Sequence, residues 1–252
     1  LHPFITCTDC GPRASIVNSL PYDRARTSMA EFAMCPDCLS EYTDPESLRR
    51  FHSQSNACPQ CGPKLGVLDS QKNTLDEDPV KFCATQIRAG SVIAVKGVGG
   101  FHLICDARNP KAIQRLRDKK RRPDKPFAIM ALNISSLATL VELSDTSKAL
   151  LQADQAPIVL LPKKRKLETD LADILAPGIN DLGCILHYTG LHYLLFHALV
   201  DQPSGSEWLS QANDHSLVIT SANLSGEPIV SDHQSGLDTL TQLADYVLLN
   251  NR

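Results

Sequence analysis

The stretch Cys58-Pro-Gln-Cys-Gly-Pro-Lys64 (CPQCGPK) decides how the first part of this 252-residue chain folds. It nearly repeats Cys7–Arg13 (CTDCGPR), and a third Cys-x-x-Cys pair, CPDC at 35–38, lies between the two. Two residues between cysteines allow one tight turn to present both sulfurs to a single zinc ion. Residues 1–66 have little apolar periodicity, so they cannot fold by themselves and a bound metal must stabilise them. We therefore predict a zinc-finger segment over residues 1–66.

The odd number of cysteine pairs is the second feature of this segment. A tetrahedral zinc site takes such pairs two at a time. The first and third pairs have similar flanking residues, with a histidine upstream and Gly-Pro followed by a basic residue downstream. The middle pair has neither flank, which indicates that it is the first of the two cysteine pairs in a zinc site. We predict that one complete structural site is formed by Cys35, Cys38, Cys58 and Cys61. Cys7 and Cys10 are then expected to close an earlier site whose opening half lies upstream of Leu1.

The composition excludes several classes of protein. Apolar residues make up 42% of the chain, which is enough for a hydrophobic core. The sequence has neither a long apolar run suited to a membrane span nor a signal-peptide segment. The net charge of −3 argues against a surface devoted to nucleic acid, so an anion site must be local. We expect a soluble, cytoplasmic protein with two domains, no membrane segment and no nucleic-acid partner.

The second part of the chain has the pattern of an α/β domain. Residues 67–79 are polar and predict a linker. After residue 80, apolar runs typical of buried strands alternate with helical patterns. The predicted elements are strands at 91–97, 127–132, 156–162 and 216–222, and helices at 80–90, 110–122, 134–143, 190–200 and 236–245. This alternation predicts a layered α/β domain over residues 80–252.

Two turns that follow predicted strands carry groups suited to anions. Lys96–His102 (KGVGGFH) places glycines after a strand, so backbone N–H groups could approach a phosphate, but a tight hairpin turn fits equally. Thr220–Pro228 (TSANLSGEP) carries hydroxyl and amide groups at a strand end, where open α/β sheets bind ligands. A simple hydrogen-bonded turn fits that stretch equally. The pattern alone leaves both alternatives open.

A dense group of basic side chains precedes Phe127. Its six cations are Arg117, Lys119, Lys120, Arg121, Arg122 and Lys125. The simple explanation is a helix C-terminus, where cations offset the helix dipole. Pro123 and Pro126, however, stiffen a loop rather than prolong a helix. Fixed cations suit a polyphosphate, since each charge-assisted contact contributes roughly 1.5–3 kcal/mol. We therefore predict a polyphosphate site at this loop.

Three motifs, KGVGGFHL (96–103), KKRRPDKPF (119–127) and TSANLSGEP (220–228), in this order resemble the YrdC/Sua5 family, which makes carbamoyl-type adenylates. Together with the cysteine pairs before them, they resemble more narrowly the HypF family, the carbamoyltransferases of nickel–iron hydrogenase maturation. The resemblance covers essentially the whole chain. It implies an α/β fold with a YrdC/Sua5-like twisted mixed sheet and helices, preceded by a small zinc-finger domain with four cysteine ligands.

The resemblance also implies a reaction and the residues for it. Carbamate derived from carbamoyl phosphate would react with Mg²⁺-bound ATP to give carbamoyl-AMP, and a HypE-like acceptor protein would receive the carbamoyl group. The Lys-x-Arg…Lys-Pro motif of the family falls on Lys119, Arg121 and Lys125, which are the implied catalytic residues. The implied substrate- and nucleotide-binding residues are Lys96, Gly99, Gly100, His102, Thr220, Ser221 and Asn223.

Three alternatives remain open at this point. An RNA-binding module would also carry a cationic loop, but only 5% of the residues are aromatic, which offers few stacking surfaces. Threonylcarbamoyl-adenylate synthesis for tRNA modification shares the implied fold, and the repeated cysteine pairs argue against it. A scaffold that only docks the acceptor protein would not bind ATP.

Overall fold

The chain is described by a computed structural model over residues 2–4, 13–164 and 174–252. It divides into two units. They consist of Leu1–Leu65, Thr189–Leu194 and Asn250–Arg252 in the first unit, and of Gly66–Tyr188 and Leu195–Leu249 in the second. No helix of the described residues is long and apolar enough to cross a lipid bilayer.

A mixed sheet of nine strands is formed by the described residues. The strands are β1 (Leu65–Asp69), β2 (Thr74–Leu75), β3 (Ile93–Lys96), β4 (Phe101–Asp106), β5 (Ala128–Ala131), β6 (Val159–Pro162), β7 (Asp181–Leu186), β8 (Ser216–Ser221) and β9 (Tyr246–Asn250). They lie in the order β2-β1-β9-β3-β4-β8-β5-β7-β6. β3 runs parallel to β9 and β5 to β7, whereas β4 is antiparallel to both β3 and β8. The expected mixed α/β sheet is confirmed.

The helices begin where capping chemistry favours a start. Those in the described residues are α1 (Pro36–Thr43), α2 (Pro79–Arg88), α3 (Pro110–Lys120), α4 (Ile134–Leu137), α5 (Asp145–Leu151), α6 (Gly190–Leu199) and α7 (His233–Leu243). The side chain of Asn109 caps α3 by accepting a hydrogen bond from the N–H of Ala112, and a proline follows it at the first helical position, as predicted. The helix ends at Lys120 rather than just before Pro123, because Arg121 adopts the left-handed conformation at φ 50°.

The core of the second unit explains the continuous apolar run at β3. The first three side chains of β3 are fully buried, and Phe101 and Leu103 on β4 pack into the same core as Ile113 and Leu116 of α3. A strand that is covered on both faces needs no polar alternation. This buried centre of the sheet fixes β4 and β8, which lead to the candidate site residues described below.

The linker predicted for residues 67–79 is instead largely a hairpin. It contains most of β1 and all of β2, which pair antiparallel. The turn forms because Oδ1 of Asp69 accepts hydrogen bonds from the N–H groups of Gln71 and Asn73, at 2.9 and 2.8 Å. Lys72 takes the left-handed conformation in this turn, at φ 69°. Polar turn residues therefore join two strands here rather than marking an irregular segment.

The helix predicted for 134–143 is also shorter than expected. It stops at Leu137, and Val141 forms a β-bridge with Lys163. Because Lys163 is distant in sequence, the local pattern of apolar residues could not predict that the helix ends before this bridge.

The glycine-rich stretch after β3 forms a hairpin turn. Lys96 on β3 pairs with Phe101 on β4, and the N–H of Gly97 donates a hydrogen bond to the carbonyl of Gly100 at 2.9 Å. A Cβ atom on Gly100 would lie 3.1 Å from the carbonyl oxygen of Val230, so the close approach of the backbones favours glycine. The stretch thus forms the hairpin that the sequence allows, and contact of its N–H groups with a phosphate stays a prediction.

Candidate zinc centre and anion site

Four cysteine sulfurs lie together in the first unit. The Sγ atoms of Cys35, Cys38, Cys58 and Cys61 are all within 4.8 Å of one another. Sγ of Cys58 lies 3.7 Å from Sγ of Cys35 and 3.7 Å from Sγ of Cys61. Tetrahedral Zn–S bonds of about 2.3 Å place sulfurs about 3.8 Å apart, so the cluster fits zinc. It unites the two half-sites that the sequence pairs. The remaining pair, Cys7 and Cys10, lies outside the described residues.

Each half-site is shaped by its local sequence. Cys35 is the N-cap residue of α1, and Cys38 lies in the first turn of that helix. In the second half-site, the N–H of Gly62 donates a hydrogen bond to the carbonyl of Cys58 at 2.8 Å. A Cβ atom on Gly62 would lie 2.7 Å from Cβ of Ala57 and 2.9 Å from that carbonyl oxygen, so a larger residue would displace the turn.

A half-buried guanidinium braces the loop between the half-sites. Nη1 of Arg24 donates hydrogen bonds to the carbonyls of Gln54 and Asn56 at 2.7 and 2.8 Å, and Nη2 donates to the carbonyl of Phe32 at 2.7 Å. Nδ2 of Asn56 donates to the carbonyl of Cys38 at 3.1 Å. Burial lowers the pKa of Arg24, and the sulfurs of the cluster act to raise it. The cation therefore faces sulfurs that become thiolates when they bind zinc.

A basic cavity lies in the second unit, where the end of α3 meets the turn after β8. Its volume is about 280 Å³. The residues that line it are Lys120, Arg121, Arg122, Pro123, Asp124, Lys125, Ser221, Asn223, Ser225 and Gly226. The cationic loop and the Ser-x-Asn turn, which are far apart in sequence, thus border one hollow.

The guanidinium of Arg117 determines the shape of the cationic loop. Its Nη1 donates to three carbonyls of the loop, those of Arg122, Pro123 and Lys125, at 2.9, 3.1 and 3.1 Å. Nε and Nη2 donate to the carbonyl of Ile174 at 2.9 and 2.6 Å, and the guanidinium carbon lies 4.6 Å from the ring centre of Phe127. The side chain is buried, and burial lowers its pKa. Arg117 therefore supports the loop from inside and does not line the cavity.

Lys120 ties the end of α3 to the turn after β8. Its Nζ donates to the carbonyls of Ser221 and Asn223 at 2.6 and 2.8 Å, and lies 3.3 Å from Oδ1 of Asn223. The residue is only 3% exposed. Burial lowers the pKa of Lys120 to about 8, and the positive charges of Arg122 and Lys125 act in the same direction. The ammonium is thus a buried cation held by oxygen atoms of the cavity wall.

The turn after β8 is held by its own side chains. Oγ of Ser221 donates to Oδ1 of Asn223 at 2.5 Å, and Nδ2 of Asn223 donates to the carbonyl of Glu227 at 2.6 Å. Gly226 has φ 87°, a conformation that glycine adopts without strain. The hydroxyl and amide groups are therefore in fixed positions at the cavity wall.

Lys119 is not among the residues that line the cavity. Its Nζ lies 3.3 Å from Oδ1 of Asp245, a carboxylate that also pairs with Arg115. Successive residues of a helix point about 100° apart, so Lys120, not Lys119, faces the turn. The Lys-x-Arg pattern fits the cavity one residue later, on Lys120 and Arg122. The doubled sequence KKRR allows both assignments, and Arg121 and Arg122 both line the cavity, so the assignment of the motif stays a prediction.

The remaining predicted cations border the cavity. Arg121 and Lys125 are exposed, and their side chains form no hydrogen bond or ion pair with other residues that the structure describes. Nη1 of Arg122 lies 3.3 Å from Oγ1 of Thr220 and donates to it, which places the predicted Thr220 behind the cationic wall.

The predicted residues of the glycine-rich hairpin, Lys96, Gly99, Gly100 and His102, are not among those that line the described cavity. His102 on β4 pairs in register with Ser221 on β8. It is buried, and burial lowers its pKa to about 4. The hairpin thus adjoins the site through the sheet, and contact with a ligand stays a prediction.

Comparisons with known proteins agree with both units. Residues 85–252 match the family model Sua5_yciO_yrdC, described as telomere recombination, and residues 34–68 match the HypF finger. Over 251 residues the chain is 46% identical to the carbamoyltransferase HypF of Rhodobacter capsulatus. This match covers 100% of this chain and 31% of that protein. The chain therefore spans about a third of the length of the curated relatives it matches.

Solved structures are similar over nearly the whole chain. The HypF of T. kodakarensis shares 41% sequence identity at a TM-score of 0.88, over 99% of this chain and 31% of that one. A full-length HypF in its phosphate- and nucleotide-bound form shares 40% identity at a TM-score of 0.85, over 99% of this chain and 30% of that one. The homology thus extends through both the zinc-finger segment and the α/β unit.

Replacing one ligand of the cysteine cluster should release its zinc. We expect Cys58→Ser to carry one zinc ion fewer per chain and to unfold around the cluster, because metal binding stabilises this segment. Elemental analysis of the purified protein and amide hydrogen exchange measure the two effects. Cys83→Ala, which removes a buried thiol of α2, is the control and should keep its zinc. Equal zinc content in both variants would rule out the cluster as a metal site.

Removing the charge of Arg117 should destabilise the cationic loop. We expect Arg117→Met to lower the free energy of unfolding by about 3 kcal/mol, because several buried carbonyls lose their donor. Arg115→Met removes a more exposed cation from the same helix, and should cost at most about 1 kcal/mol. Denaturant unfolding measures both values. Similar values for the two variants would show that the loop does not depend on Arg117.

Proposed function

Because this chain belongs to the Sua5/YciO/YrdC family through residues 85–252, we propose that its basic cavity binds ATP and joins it to carbamate, giving carbamoyl-AMP and pyrophosphate. The observation that carries this proposal is the convergence of the cationic loop and the Ser-x-Asn turn on one hollow. Its volume of about 280 Å³ is near the lower end for small-molecule pockets. It therefore suits the phosphate chain of a nucleotide and a small acid.

In the proposed step the cations stabilise the negative charge that develops on the leaving pyrophosphate. A carbamate oxygen attacks the α-phosphorus of ATP, the bond from that phosphorus to the bridging oxygen breaks, and pyrophosphate leaves. Negative charge grows on the leaving phosphates, and fixed positive groups stabilise it most effectively when they are already in place. Arg121, Arg122 and Lys125 are the side chains proposed for this, with Lys120 in the role first assigned to Lys119.

Ser221 and Asn223 are proposed to orient the reacting groups. Nδ2 of Asn223 uses one hydrogen for the carbonyl of Glu227, and its second hydrogen can be donated to a phosphate or carbamate oxygen. Because these side chains are already held by each other, little entropy is lost when a ligand meets them. Mg²⁺ enters as part of the nucleotide substrate and offsets charge on the phosphates.

We also propose a wider role, which the similarity to the relatives supports. We infer that the carbamate comes from carbamoyl phosphate, and that a HypE-like acceptor protein receives the carbamoyl group during nickel–iron hydrogenase maturation. The support is the similarity to a protein named as a carbamoyltransferase, of which the chain spans 31%. The match to the HypF finger favours carbamate over threonylcarbamate as the acid, and so argues against the tRNA-modifying alternative.

Carbamate-dependent exchange of labelled pyrophosphate into ATP tests this function. Ammonium bicarbonate supplies carbamate, and we expect exchange only in its presence. Lys125→Ala should weaken MgATP binding, measured by calorimetry, roughly 10- to 150-fold and reduce exchange, since it removes one charge-assisted contact. Lys111→Ala removes an exposed cation of α3 away from the cavity and should behave as the unchanged protein. ATP binding without any exchange would reject adenylation, and equal affinity of both variants would remove Lys125 from the site.

ATP affinity should also depend on pH through Lys120. Because the pKa of Lys120 is lowered to about 8, its positive charge is present below that pH and is lost above it. We expect the affinity for MgATP to fall by up to about tenfold per pH unit above pH 8, measured by calorimetry in buffers of matched ionic strength. Lys120→Arg keeps the charge throughout this range and should flatten the profile. An identical decline in that variant would assign the effect to another group.

A further inference from the structure

The cationic wall of the cavity contains one carboxylate. Among the ten residues that line the cavity in the described part of the chain, Asp124 is the one with an acidic side chain. It lies in the cationic loop between Pro123 and Lys125, and it is exposed. A negative charge at this position opposes the binding of a polyphosphate unless a cation lies between them.

The loop holds Asp124 at the cavity. The carbonyls of the residues on both sides of it, Pro123 and Lys125, accept hydrogen bonds from Arg117 at 3.1 Å each. Arg122 adds a second support by donating to the carbonyl of Pro126 at 2.5 Å. The backbone is therefore fixed on both sides of Asp124, which keeps this residue in the cavity lining.

Asp124 also has no structural partner that would explain it. Its carboxylate forms neither a hydrogen bond nor an ion pair with the residues that the structure describes, and its charge acts on the buried Arg117 only at longer range. Asp118 offers a contrast on the same segment, because its Oδ1 accepts a hydrogen bond from Gln114 at 2.8 Å and it is not part of the cavity lining.

We propose that Asp124 binds the Mg²⁺ of the MgATP complex, so that the cavity selects the magnesium-bound nucleotide over free ATP. Mg²⁺ is commonly held by one or two carboxylates together with substrate phosphates and water, and one carboxylate beside a phosphate-binding wall matches this pattern. The surrounding cations neutralise the phosphate oxygens that the metal leaves uncovered. This inference rests on the proposed function of the cavity.

Calorimetric titration of ATP into the protein, with and without millimolar Mg²⁺, tests the inference. Trace metal is removed from the buffers by resin and not by a soluble chelator, because a chelator would strip the cysteine cluster. We expect Mg²⁺ to strengthen ATP binding to the unchanged protein. Asp124→Asn should bind metal-free ATP on the order of fivefold more tightly, because a repulsive charge is gone, and should lose most of the strengthening by Mg²⁺.

Two further variants make the result specific. Asp124→Glu retains a carboxylate and should retain the Mg²⁺ effect, whereas Asp118→Asn makes the same charge change outside the cavity and should behave as the unchanged protein. An Asp124→Asn variant with the full Mg²⁺ effect would overturn the inference while leaving the proposed function intact. Absence of ATP binding in the unchanged protein, with or without Mg²⁺, would overturn the proposed function itself.

Discussion

The burial of one guanidinium organises the anion site. Arg117 places its positive charge in the protein interior, where no carboxylate of the described residues lies at hydrogen-bond distance, and satisfies it with backbone carbonyls, three of which come from the cationic loop. A planar fork with five N–H groups is the only side chain that can serve so many acceptors from one position. Because the loop carbonyls turn inward to Arg117, the loop side chains Arg121 and Lys125 are left at the cavity.

The wall of the cavity brings several positively charged side chains close together, and their mutual repulsion opposes folding. Lys120 is buried with Arg122 and Lys125 near it, and all three effects lower its pKa. The polyanion proposed as ligand would relieve this repulsion and so recover part of the electrostatic cost of folding. The carbonyl oxygens of Ser221 and Asn223 meanwhile keep the ammonium in place when the cavity is empty.

The first unit contains a cluster of four cysteines that is suited to zinc. Among the described residues, Ile16, Met29 and Ala57 form a small buried apolar cluster in this unit, and Phe32 packs against it. Four sulfurs at zinc-binding distances would join α1 to the Cys58 turn when zinc is bound. Arg24, like Arg117, fixes loop carbonyls with one guanidinium. Charge and coordination thus replace the hydrophobic packing that organises the second unit.

Interactions between residues close in sequence determined the cysteine pairs and the start of α3. Cys-x-x-Cys spacing selects zinc half-sites, and the cap at Asn109 sets the start of α3, because these effects act between residues a few positions apart. The tertiary structure decided the rest. Lys120 rather than Lys119 lines the cavity because the rotation of α3 about its axis is set by packing against the sheet, and the KKRR sequence permits either choice. The hairpin within residues 67–79 joins the sheet because β1 lies next to the distant β9, a neighbour that no local pattern contains. Sequence neighbours specify which groups are present, whereas contacts between distant segments determine the direction in which each group points.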